Sequence, residues 1–122
     1  MTGGDRILDK GLLQQTAGTI ESVQLPSGMI PWFVGGHSDP WNHVEAAMAL
    51  AVAGRIGAAE RAYEWLEATQ HPEGSWHNYY AYDESVEDGR LDTNVCAYVA
   101  TGIWHHFLVT GDMAFEIGRA HV

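Results

Sequence analysis

Arg61-Ala62-Tyr63-Glu64-Trp65-Leu66-Glu67-Ala68-Thr69-Gln70-His71-Pro72-Glu73-Gly74-Ser75-Trp76 is a charged, alanine-rich helical pattern that stops at Gln70 and hands over to a built corner. Each residue type in the corner has a physical task. The Gln70 amide can satisfy backbone groups left open at a helix end. Gly74 permits a tight turn, and Trp76 closes the corner with a large apolar face. The spacing from Gln24 to Gly28 repeats that from Gln70 to Gly74, 46 residues earlier. This period suits one helical hairpin per repeat. Trp32 follows its glycine later than Trp76 does, so the first copy is degenerate.

Outward from this corner, periodicity predicts helices on both sides. From Asp5 to Val23, Leu8, Leu12, Thr16, Ile20 and Val23 share one side, while Lys10, Gln14, Gln15, Glu21 and Ser22 fall largely elsewhere, which predicts a surface-facing helix. Asp39-Pro40 starts a second helix, with Asp39 as N-cap and Pro40 in the first turn, running to about Ala53. It is apolar nearly all round and is expected to be buried. A third helix, about Ile56 to Gln70, turns Ala59, Ala62, Tyr63 and Leu66 inward and faces solvent with its charges. The connection from His71 to Leu91 is long for a structureless loop and rich in aromatic and acidic residues, which favours a functional lining. Asp92 or Thr93 caps a fourth helix to about Thr110, free of Lys, Arg, Asp and Glu from Val95 onward and therefore also expected to be buried. Met113 begins a fifth.

Outer and inner helices thus alternate, with long connections from outer to inner and very short ones from inner to outer. This predicts an all-α chain, a partial alpha/alpha toroid of about four helices plus the start of a fifth, with the elaborated loops gathered at one mouth. Arg61 to Trp76 resembles the QW repeat of squalene and oxidosqualene cyclases, which are related in fold to the beta subunits of protein prenyltransferases. The resemblance implies an enzyme acting on an isoprenoid or similarly bulky apolar substrate. Two features depart from those families. The Asp-x-Asp-Asp motif of protonating cyclases is absent, Asp83-Glu84 and Glu87-Asp88 reading as separate acidic pairs in a solvated turn. Asp92 and Cys96 stand four residues apart, where the zinc-binding Asp and Cys of prenyltransferases are separated by one. The alternatives are a six-hairpin glycosidase-like enzyme with carboxylate acids, and a non-catalytic toroid that binds a ligand.

Composition narrows the partners. With 46% hydrophobic residues and a formal charge of -10, a core is affordable and nucleic acid or an anionic membrane is disfavoured. Five Trp and five Tyr beside six Lys plus Arg suit an apolar or neutral small molecule. One cysteine, Cys96, fits a reducing compartment, and no signal-peptide layout opens the chain, so a cytoplasmic location is expected. Ile117, Gly118, Arg119, Ala120, His121 and Val122 read as ATC GGA AGA GCA CAC GTC, the start of a widely used sequencing-library adapter. Residues 1–116 are accordingly expected to be the N-terminal part of an incomplete toroid domain, and 117–122 a read-through artefact.

Candidate site residues cluster at the starts of the inner helices. Glu45, an acid on an otherwise uncharged inner helix, is expected to be partly desolvated, which suits a general acid. Asp39 is both an N-cap and a candidate acid. Asp92, at the next inner helix, is a candidate partner carboxylate. Trp32, Trp41, Trp76, Tyr79 and Tyr80 are the expected aromatic lining, with His37, Asn42, His43, His77 and Asn94 as polar contacts. No compact metal-binding spacing links the histidines. No cofactor is evident, a divalent metal from His37, His43 and His77 being possible but unsupported by spacing.

Overall fold

The computed structural model describes residues 9–111. The expected fifth helix and residues 117–122 lie outside them. Four helices dominate: α1 (Lys10–Val23), α2 (Pro40–Val52), α3 (Ile56–Thr69) and α4 (Thr93–Thr110). A two-stranded antiparallel hairpin, β1 (Tyr79–Tyr80) and β2 (Val86–Asp88), stands between α3 and α4. Among the described residues the fold is all-α apart from this hairpin.

The caps are those the residue types demand. The Asp9 carboxylate accepts from the amides of Gly11 and Leu12 at 2.7 and 3.2 Å. Asp39 accepts from Asn42 N–H at 2.9 Å, and Asp92 from Asn94 and Val95 N–H at 2.8 and 3.2 Å. Arg55, which precedes α3, makes no side-chain cap.

The two corners have one geometry. Gln24 and Gln70 share φ −63° and ψ 133°, and each donates from Nε2 to a glycine carbonyl, Gly28 or Gly74, at 3.1 Å. Leu25 N–H bonds Met29 O and His71 N–H bonds Ser75 O, both at 2.8 Å. Gly28 and Gly74 take φ of 103° and 94°, a region costly for any residue with a Cβ. The repeat seen in the sequence is therefore a repeat in space.

Helix α2 is the centre, packed against α1, α3 and α4. It buries Pro40, His43, Val44, Ala47, Leu50 and Ala51. Helix α3, expected to be mainly solvent-facing, buries Ala58, Ala59, Ala62, Tyr63, Trp65 and Leu66, because two of its sides meet the core. Helix α4 corrects a second expectation. Its buried residues are Val99, Gly102 and His106, while Trp104, Leu108 and Val109 are exposed, because among the described residues it has neighbours on one side only. Gly102 marks its closest approach: a Cβ there would lie 2.4 Å from Val44 Cγ1 and 2.9 Å from the Tyr63 hydroxyl, which donates to the Gly102 carbonyl at 2.9 Å.

Trp41 stacks on Tyr98 and Val44 meets Gly102, so α2 and α4 run parallel with their N-termini at the same end. Both long connections lie at that end and are joined there. Ser38 N–H donates to Tyr80 O at 2.9 Å and Tyr80 N–H to Ser38 O at 2.8 Å. The 71–91 connection is thus an ordered hairpin docked on the preceding loop. No helix among the described residues is long and apolar enough to cross a membrane.

Candidate active site at the loop-bearing end

Asp39 is the hinge of the site. Its carboxylate is 4% exposed and accepts three hydrogen bonds: Trp32 Nε1–H to Oδ2 at 2.7 Å, Asn42 Nδ2–H to Oδ2 at 2.8 Å and Asn42 N–H to Oδ1 at 2.9 Å. The cap that begins α2 therefore also fixes an indole and an amide at the mouth. Trp32 stands edge-on to His37, with ring centroids 4.4 Å apart, and His37 stacks on Tyr79 at 4.7 Å. His37 Nδ1 lies 2.6 Å from Glu87 Oε2, tying the first loop to strand β2.

One helical turn inward, Trp41 Nε1–H donates to Glu45 Oε1 at 2.8 Å, and the Trp41 ring lies on Tyr98 with centroids 4.0 Å apart and planes 9° from parallel. Burial first, and the neighbouring Glu45 carboxylate second, push the Tyr98 hydroxyl above its ordinary range. Glu45 is exposed, where partial desolvation was expected. The Trp41 indole and the Tyr98 phenol are its near neighbours. Beside the cluster, Thr19, Ile20, Val23, Ile30 to Val34, Asn42 and Ala46 line a largely apolar groove of about 620 Å³.

The other expected site residues lie elsewhere. His43 is fully buried; its Nδ1 accepts from Ile30 N–H at 3.2 Å and its Nε2 donates to Ala62 O at 2.8 Å, so the ring has no nitrogen left for a ligand. Burial pulls its pKa from 6.5 down to about 4, against the opposing effects of the Ala62 bond and Asp39. Trp76 is buried and donates to Leu66 O at 2.8 Å, sealing the second corner. Tyr80 packs buried against Trp65, ring centroids 5.0 Å apart. His77 is half-buried beside His71 and close to the Gly89 carbonyl. Asp92 and Asn94 are exposed, and Asp92 borders a separate hollow of about 240 Å³ with Glu73, Gly74, Ser75 and Cys96. His37, His43 and His77 form no common metal site, and among the described residues no group of three or more His, Cys, Asp or Glu is placed to hold a metal.

Two residues of the cluster escape a reading of sequence. Glu87 reads as part of a solvated turn, and only the strand pairing carries it to His37. Tyr98 sits in a helix without charge, and its register against Trp41 depends on how α4 meets α2.

Comparison with known proteins redirects the functional reading. No family model matches the chain. It is 55% identical over 102 residues to MMP endo-(1,4)-3-O-methyl-alpha-D-mannosidase of Mycolicibacterium hassiacum, an alignment covering 84% of this chain and 28% of that protein. At this identity, similarity to a protein named as a glycosidase overturns the terpenoid-cyclase and prenyltransferase reading, and with it the transferase activity and the isoprenoid substrate. The Gln-to-Trp corner marks a way of joining helices, which can recur wherever helical hairpins stack; it does not carry the chemistry of the families it resembles.

Proposed function

We propose that the chain is part of a glycoside hydrolase acting on a neutral carbohydrate, and that the substrate class is the one in its relative's name, a (1,4)-linked 3-O-methyl-α-D-mannosyl chain. The observation that carries this is the meeting of carboxylates and an aromatic wall at one mouth, in a chain 55% identical to a protein named as such a mannosidase. A sugar ring presents apolar C–H faces that stack on indole and phenol rings, and a methyl ether in place of a hydroxyl adds apolar surface. The rings of Trp32 and Tyr79, and the groove lined by Pro31, Phe33 and Val34, suit such a ligand.

Glycosidic bond cleavage needs an acid to protonate the leaving oxygen and a second carboxylate to act as base or nucleophile. Asp39 is ill suited to donate a proton, because three donors already point at its oxygens and hold it as an acceptor. Its role is to position Trp32 and Asn42. Glu45, exposed and held at one oxygen by Trp41, is assigned as the acid. Asp92 caps α4 and borders a separate hollow, so the partner carboxylate is assigned to a residue outside the described ones.

In the full-length protein, Glu45→Gln is expected to lower kcat on a 3-O-methylmannose oligosaccharide by about 100-fold or more while leaving KM nearly unchanged. Trp32→Ala should mainly raise KM. Unchanged turnover in Glu45→Gln would remove the acid assignment, and failure of the wild-type protein to cleave or bind any mannoside would remove the class.

A further inference from the structure

The two corners share one geometry but not one environment. We propose that Glu67, Gln70 and the outer stripe of α4 form a docking surface for a further helical hairpin of the same repeat, whose outer helix carries one basic residue at its start and another six positions on.

The first corner shows such a surface filled. Arg55 Nη1 donates to Glu21 Oε1 at 2.9 Å, and Arg61 Nη2 lies 3.8 Å from Glu21 Oε2. Arg61 also donates to Gln24 Oε1 at 3.1 Å, and Gln24 Nε2 donates to the Ala58 carbonyl at 3.0 Å. Two guanidinium groups and one carbonyl near the start of α3 thus clamp it to the end of α1. The approach is close: a Cβ on Gly28 would stand 2.0 Å from the Arg61 carbonyl oxygen.

Displaced by the 46-residue period, Glu67 and Gln70 hold the positions of Glu21 and Gln24. Glu67 is exposed and makes no ion pair among the described residues. The Gln70 side chain makes one hydrogen bond there, to Gly74 within its own corner, and lacks both of the contacts Gln24 makes to the next outer helix. Among the described residues the acceptors of the clamp are present without its cations.

The inner layer repeats the pattern. With the N-caps Asp39 and Asp92 aligned, Asn94 and Ala97 take the places of Trp41 and Val44, the α2 residues that meet Tyr98 and Gly102 of α4. Asn94, Ala97, Thr101, Trp104 and Leu108 recur at intervals of three and four, so they share one helix face. All five are exposed and none is charged. Both layers of the second hairpin therefore leave exposed the positions through which the first hairpin holds the second, and stacked repeats gain stability from such nearest-neighbour interfaces.

A second copy of residues 55–111, inserted directly after Gly111, supplies a hairpin with its own Arg55 and Arg61. The extended chain is expected to melt about 5 °C or more above the unmodified one, with slowed amide exchange over residues 64–70. Glu67→Lys in the original copy should cancel most of that gain. An inserted copy that stays unprotected beside folded original hairpins, or a gain that Glu67→Lys leaves intact, overturns the proposal. The unmodified chain provides a second measurement that does not need the insertion to fold. Glu21→Lys should lower its Tm by about 3 °C and Glu67→Lys by less than about 1 °C. Equal losses would mean that Glu67 is already engaged, and dimerisation of the unmodified chain indifferent to Glu67→Lys would place a second copy on α4 instead; either result overturns it.

Discussion

Helices α2 and α4 follow one plan: each opens on an aspartate N-cap, each is almost free of charge, and they run parallel with their first turns at the same mouth. Yet α2 buries six residues and α4 three. The difference lies in their neighbours: α2 is enclosed by α1, α3 and α4, whereas among the described residues α4 rests on α2, on Tyr63 of α3 and, through Cys96, on Trp76. Apolar composition therefore measures how much burial a helix can use. How much it receives depends on which elements stand beside it.

Leucine truncation separates the two helices most sharply. Leu50 is fully buried in α2, and Leu50→Ala should cost about 3 kcal/mol through lost transfer energy and the cavity left behind. Leu108 is 64% exposed on α4, and Leu108→Ala should stay within about 0.5 kcal/mol. Urea unfolding of the two variants measures the contrast; equal losses would show that α4 is covered in solution.

A smaller effect tests the polar interior of α2. The His43 pKa lies near 4 in the folded chain and near 6.5 in its unfolded reference. The unfolded chain therefore binds the proton more readily throughout that window. The associated stability is complete above pH 6.5, and about 3 kcal/mol is lost as the pH falls to 4. The slope of unfolding free energy against pH should carry this loss in the wild type, and His43→Gln should flatten it even though the variant starts from lower stability. A slope unchanged by the substitution would mean that His43 charges without unfolding the chain.

Local features of the sequence are what could be read in advance. The caps Asp39 and Asp92, the stops at Gln24 and Gln70 and the repeat between them depend on neighbouring residues and backbone rules, and the structure bears out each of them. Trp76 reads both as corner seal and as lining, and the structure keeps the first. The environments of His43 and Tyr80 were not legible, because a polar or aromatic residue beside a mouth can equally point inward. The encounters of Glu87 with His37 and of Tyr98 with Trp41 were hidden for the same reason, being matters of register between distant segments. The corner motif was legible as structure and misleading as function, since the contacts of Gln70 and Trp76 are all made within the scaffold.

The smallest expected effect compares the corners themselves. Gln24 and Gln70 make the same bond to a glycine carbonyl, so Gln→Ala removes that bond at either place. At Gln24 it also removes the donor to Ala58 O and the acceptor of Arg61, two contacts that cross from one outer helix to the next. A hydrogen bond contributes about 1 kcal/mol net, and somewhat more where one partner is charged. The exposure of Arg61 reduces its share, because water can replace the lost acceptor. Gln24→Ala should therefore cost about 1 kcal/mol more than Gln70→Ala. A double variant with Arg61→Ala assigns the difference: the excess should shrink but persist, because the Gln24 bond to the Ala58 backbone does not need the guanidinium.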